Sequence, residues 1–74
     1  MEKDIIKRKR FEKLATNRTN EVLKRLKILG NCSNKNLYSY TEEDIRKIFN
    51  EIEKSIKEQK SKFLHTRKNQ EFKL

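Results

Sequence analysis

The sequence predicts an all-α chain, a two-helix antiparallel hairpin, and three observations carry that reading. Apolar residues recur at helical spacing in two long segments. A stretch rich in turn formers separates them, and the second segment opens on a strong helix-start signal at Thr41. With no Pro and a single Gly, the chain has little else to interrupt a helix.

In the first element, Phe11, Leu14, Ala15, Val22, Leu26 and Leu29 fall within about 60° of one direction when placed at about 100° per residue. This stripe predicts a helix over about residues 3–29. Gly30-Asn31 is expected to end it in the left-handed conformation, with Lys24, Arg25 and Lys27 complementing the dipole of the last turns. Thr16, Asn17, Arg18, Thr19 and Asn20 are five poor or middling helix formers in a row. Because the stripe keeps its phase across them, one continuous helix is expected.

The connecting loop, residues 30–41, begins with turn formers and ends in the apolar bodies of Leu37, Tyr38 and Tyr40. It is expected to fold back and plug one end of the hairpin. In the third segment, Thr41-Glu42-Glu43-Asp44 reads as an N-cap followed by three acids, a capping box with Asp at its third helical position. Ile45, Ile48, Phe49, Ile52, Ile56 and Phe63 then share one face, which predicts a helix over about residues 42–64 and leaves 65–74 as a basic tail. Each helix offers one apolar stripe, so the simplest arrangement buries the two against each other.

Size limits what this seam can supply. The chain has 74 residues, of which 32% are hydrophobic. A domain this small buries only about 60% of the surface its unfolded chain exposes. Marginal stability is expected, to be supplemented by a homodimer in the form of a four-helix bundle or by docking on a larger protein. Cys32, the single cysteine, has no intramolecular disulfide partner. No apolar run approaches the roughly 20 residues of a membrane span, and the N-terminal residues lack the apolar region of a secretory signal. A cytoplasmic location and no membrane partner are therefore expected.

Charge is the informative asymmetry. Residues 1–30 hold ten Lys/Arg against four Asp/Glu, whereas residues 41–64 hold six of each. The net charge of +9 therefore arises mostly in the first helix, a pattern that favours a polyanionic partner. Antiparallel packing would also bring Lys7, Arg8, Lys9 and Arg10 close to Lys60, Lys62, Arg67 and Lys68. The expected partner is nucleic acid, RNA or DNA, or a ribonucleoprotein, bound mainly through its phosphates. Lys7, Arg8, Lys9, Arg10, Arg67 and Lys68 are the candidate contacts, and Lys13, Arg25 and Lys62 are outlying contributors. A solvated helix end is the alternative account of the Lys7–Arg10 run.

Arg18 and the two tyrosines each have competing readings. Arg18 lies near the centre of the first stripe, where an ion pair with an acid of the second helix, or a stem laid on Tyr38 or Tyr40 with the guanidinium in solvent, would account for it. Otherwise Arg18, Asn17 and Asn20 form a polar notch that reads a partner. Tyr38 and Tyr40 either cap the core or stack unpaired bases. His65 and Cys32 fall near opposite ends of the hairpin, which argues against a metal site or a Cys-His pair. No triad and no glycine-rich phosphate loop is present, so neither a catalytic residue nor a cofactor is expected.

The rival expectation is a protein-interaction module, a small inhibitor or assembly factor of phage or mobile-element type. Leu23, Ile28, Ile5 and Ile6 lie off the main stripe and would serve such a contact. The residues Arg18-x-Asn20, Leu26-x-x-Leu29-Gly30-Asn31-x-Ser33-Asn34 and Tyr38-x-Tyr40-Thr41-x-x-Asp44-Ile45-x-Lys47-Ile48-Phe49 resemble a pattern in short bacterial and mobile-element reading frames of unassigned function. That resemblance spans most of residues 18–63. It implies a helix-loop-helix unit and no activity, with the basic N-terminus as an addition to it.

Overall fold

The computed structural model describes residues 2–69, with side chains through residue 64. Helix α1 spans Glu2–Gly30, a 3-10 turn follows at Asn31–Ser33, and helix α2 spans Glu42–Asn69. No strand occurs among the described residues. The chain divides into two units, Met1–Tyr38 and Ser39–Leu74, and each is described by itself.

Unit one is essentially α1. Glu2 and Asp4 stand in its first turn and Lys27 in its last, the polarity that complements the helix dipole. The weak stretch Thr16–Asn20 does not divide it. Strong helix formers on both sides offset a few tenths of a kcal/mol lost at each of those positions, roughly the spread of intrinsic propensities.

The end of α1 corrects the expected left-handed stop. Gly30 keeps helical angles, φ −59° and ψ −25°, and no described residue has a positive φ. The backbone tightens into the 3-10 turn and leaves helical space at Asn34, where φ is −70° and ψ is 102°. Asn34 holds the local turn that follows through its own polar groups. Its carbonyl accepts the N–H groups of Leu37 (3.1 Å) and Tyr38 (2.9 Å), and its Oδ1 accepts the N–H of Asn36 (3.0 Å). One backbone donor captured by the side chain and two by the carbonyl hold a turn that needs no left-handed glycine.

This geometry sets the sign of a substitution. A Cβ added at Gly30 would meet nothing within 4 Å. Gly30→Ala is therefore expected to raise stability by about 0.5–1 kcal/mol, seen as a higher midpoint in a circular-dichroism melt. A lower midpoint would restore the left-handed cap.

Unit two starts where its capping signal directs. The Thr41 N–H donates to Asp44 Oδ2 at 2.9 Å, and the Asp44 N–H donates to Thr41 Oγ1 at 3.1 Å. The Thr41 carbonyl accepts the first helical bond, from Ile45 N–H at 3.2 Å. Reciprocal bonds of this kind satisfy donors that a helix start otherwise leaves orphaned. Thr41→Ala is expected to cost about 1 kcal/mol, with hydrogen exchange accelerating at Asp44 before the rest of α2 responds.

α2 then runs to Asn69, so the expected basic tail at 65–74 is helical through that residue. No Gly or Pro follows Gly30 in the sequence, and nothing forces a stop at Leu64. Ser61 satisfies its hydroxyl on the Glu58 carbonyl at 2.8 Å, and Arg46 pairs with Glu43 at 2.7 Å.

None of the described residues is buried. Ala15, Leu26 and Leu29 on α1, Tyr40 before α2, and Ile52 and Ser61 on α2 are half-buried. Of the three apolar bodies expected to plug the hairpin end, Leu37 and Tyr38 are exposed, 71% and 50%. No described helix is long and apolar enough to cross a membrane.

Candidate nucleic-acid interface

Lys7, Arg8, Lys9 and Arg10 lie wholly within α1, and all four are exposed. At 3.6 residues per turn, four consecutive residues point to four sides of the helix, so the cations ring the axis rather than line one face. Arg8 is held along its own helix. Its Nε donates to Glu12 Oε2 at 3.1 Å, and its guanidinium carbon lies 5.8 Å from the Phe11 ring centroid. With both partners more than half exposed, that ion pair contributes only a few tenths of a kcal/mol. Lys7, Lys9 and Arg10 take part in neither ion pair found among the described residues.

Lys13 is exposed one turn further along. Arg25 is exposed near the far end of α1, about 27 Å from Lys7 by helical rise. Lys62 is exposed on α2 and belongs to the second unit. The side chains of Arg67, Lys68 and His65 lie outside the described residues.

Arg18 is exposed and takes part in neither ion pair among the described residues. Asn17 and Asn20 are exposed as well. Beside Asn20 runs a shallow open furrow on α1, lined also by Leu23, Lys24, Leu26 and Lys27. Tyr38 is 50% exposed and Tyr40 half-buried, so the two rings have different surroundings although only Ser39 separates them.

One arrangement is invisible to a count of basic runs. The dipole argument accounts for Lys24 and Lys27 at the sequence level, yet the continuous helix gives them a second relation. It places both on the same side of α1 as Lys13, Asn17 and Asn20. The signal lies in the phase of the cations relative to one another.

Cys32 is exposed in the 3-10 turn. Among the described residues, no group of three or more His, Cys, Asp or Glu side chains converges. No protein-family model, curated protein or solved structure matches the chain.

Proposed function

We propose that this chain is a small basic accessory protein that binds nucleic acid, or a ribonucleoprotein, through the cationic region of α1. The observation that carries this reading is the ring of four exposed cations at Lys7–Arg10, of which Arg8 alone is ion-paired among the described residues. Helix stability does not require them. Cations near an N-terminus oppose the dipole where they feel it, and the same turns would be as helical with neutral residues.

In this reading the two apolar faces bury against each other as an antiparallel hairpin. Lys60, Lys62, Arg67 and Lys68 then join the Lys7–Arg10 ring at one pole, and self-association extends the seam. The protein acts in the cytoplasm by binding rather than by catalysis, and its helix-loop-helix unit is of the kind found in short mobile-element proteins.

Fluorescence anisotropy with short duplex DNA, single-stranded RNA and structured RNA across a salt series tests the reading. Affinity for at least one class should fall steeply with salt while persisting near 0.15 M. Absence of binding to all three at low salt refutes it.

One observation favours a second reading, a docking module for a larger protein. Ile5, Ile6, Leu23 and Ile28 are 45–57% exposed and lie outside the main stripe. Polar replacements at these four positions should leave nucleic-acid affinity unchanged under the first reading. Under the second, they abolish the biological function while nucleic-acid affinity is retained.

A further inference from the structure

Asn17 and Asn20 sit in the middle of α1, where helix propensity argues against them. Together with Thr16 and Thr19 they lower helix stability relative to alanine. All four are exposed, and none makes a side-chain hydrogen bond among the described residues that would offset the loss. Positions where the local sequence works against its own secondary structure are those expected to serve a partner.

Their neighbours indicate which partner. Projected at about 100° per residue, Asn17 and Asn20 centre a face on which Lys13 and Lys24 fall within about 20° of the midline. Lys9, Arg10 and Lys27 flank it within about 60°. From residue 9 to residue 27 no acid shares this face, since Glu12 and Glu21 lie to its sides, and the apolar stripe lies nearly opposite. A rise of about 1.5 Å per residue sets Lys13 and Lys24 about 16 Å apart, with the two amides between them.

These dimensions fit the major groove of B-form DNA. That groove is about 12 Å wide, admits an α-helix, and presents adenine N6 and N7, which an asparagine amide meets with one donor and one acceptor. Lysines beyond each edge reach the flanking phosphates and fix the register. The major groove of A-form RNA is too deep and narrow for such readout, and single strands are held on aromatic platforms, which this face lacks. Resting on the nucleic-acid reading above, we propose that α1 enters the major groove of duplex DNA, with Asn17 and Asn20 on base edges and Lys13 and Lys24 on flanking phosphates.

The test is selection by the full chain from a pool of short duplexes randomised at their centres, followed by anisotropy on the winners and on scrambled controls. Winners should share an adenine-containing motif and bind at least about tenfold tighter than the controls. The double variant Asn17→Ala, Asn20→Ala should erase that preference while keeping the parent's affinity and salt slope on scrambled duplex. Alanine favours the helix, so circular dichroism should show undiminished helicity. Lys13→Gln with Lys24→Gln should weaken both complexes alike and shallow the salt slope by about 2.

The inference is overturned if the parent binds duplexes without sequence preference, if the alanine variant keeps the preference, or if structured RNA is bound more tightly than duplex. Any of these leaves the broader reading standing. Loss of binding to every nucleic acid overturns both.

Discussion

Reversing the charge at Lys7, Arg8, Lys9 and Arg10 to Glu together should lower nucleic-acid affinity about a thousandfold at 0.15 M salt. Each phosphate no longer neutralised removes a factor of about five at that ionic strength, because its counterions stay bound instead of being released. The slope of log affinity against log salt should shallow by about 3 to 4 units. Helicity should hold. The run lies more than a turn inside α1, where the dipole has largely decayed, and the only ion pair broken among the described residues is the exposed one between Arg8 and Glu12. New Glu–Lys spacings to Lys13 from positions 9 and 10 are set against new like-charge spacings to Glu12 from positions 8 and 9, each about a few tenths of a kcal/mol, so the net change is small. A drop in the 222 nm signal to match the drop in affinity would assign the cluster to the fold instead.

In the antiparallel hairpin proposed above, a charge placed in the seam should have the second large effect. Ile52 is the half-buried apolar residue of α2 among those described, and it sits centrally on the face of Ile45, Phe49, Ile56 and Phe63. Spacings that alternate four and three along this face are those of a helix packed at a shallow angle against another. Ile52→Asp should abolish the cooperative thermal transition. A chain of this size holds at most a few kcal/mol of net stability, and an unpaired carboxylate in an apolar seam costs at least that much. Lys54→Asp, on the opposite side of α2, should shift stability by no more than about 0.5 kcal/mol. Equal melts for the two variants would mean that the face of α2 is unpacked in the isolated chain.

How much of this could be read in advance differs from element to element for physical reasons. The start of α2 was fully legible because it is local chemistry. Thr41 and Asp44 are three residues apart, and the bonds they exchange need nothing from the rest of the chain. The end of α1 was misread for a related reason. Gly30 signals permission to turn, whereas the groups that make the turn belong to Asn34, four residues on. The legible part is the Asn34 side chain, which can accept the N–H two residues on as an Asx turn. At the end of α2 there was no comparable chemistry to read, and a helix without a breaker simply continues to Asn69.

Within the candidate interface, the Lys7–Arg10 run was visible as adjacency in the sequence. The companionship of Lys13, Lys24 and Lys27 with the two asparagines follows from the same continuous helix that the apolar stripe predicts, but it emerges only when the cations and amides are projected on that helix as well as the apolar residues. Such a pattern depends on the phase of a whole element, and any break between its members would scramble it.

The box formed by Thr41 and Asp44 also makes α2 independent of what precedes it. The bonds that start the helix lie within four consecutive residues, so its angular origin is set at Thr41 and not by the path of the connection. Residues can be inserted into or deleted from the segment between Asn34 and Ser39 without rotating Ile45, Ile52 or Phe63 relative to one another or to the first turn. The connection can thus change in length while the apolar face of α2 keeps its register to its own first turn.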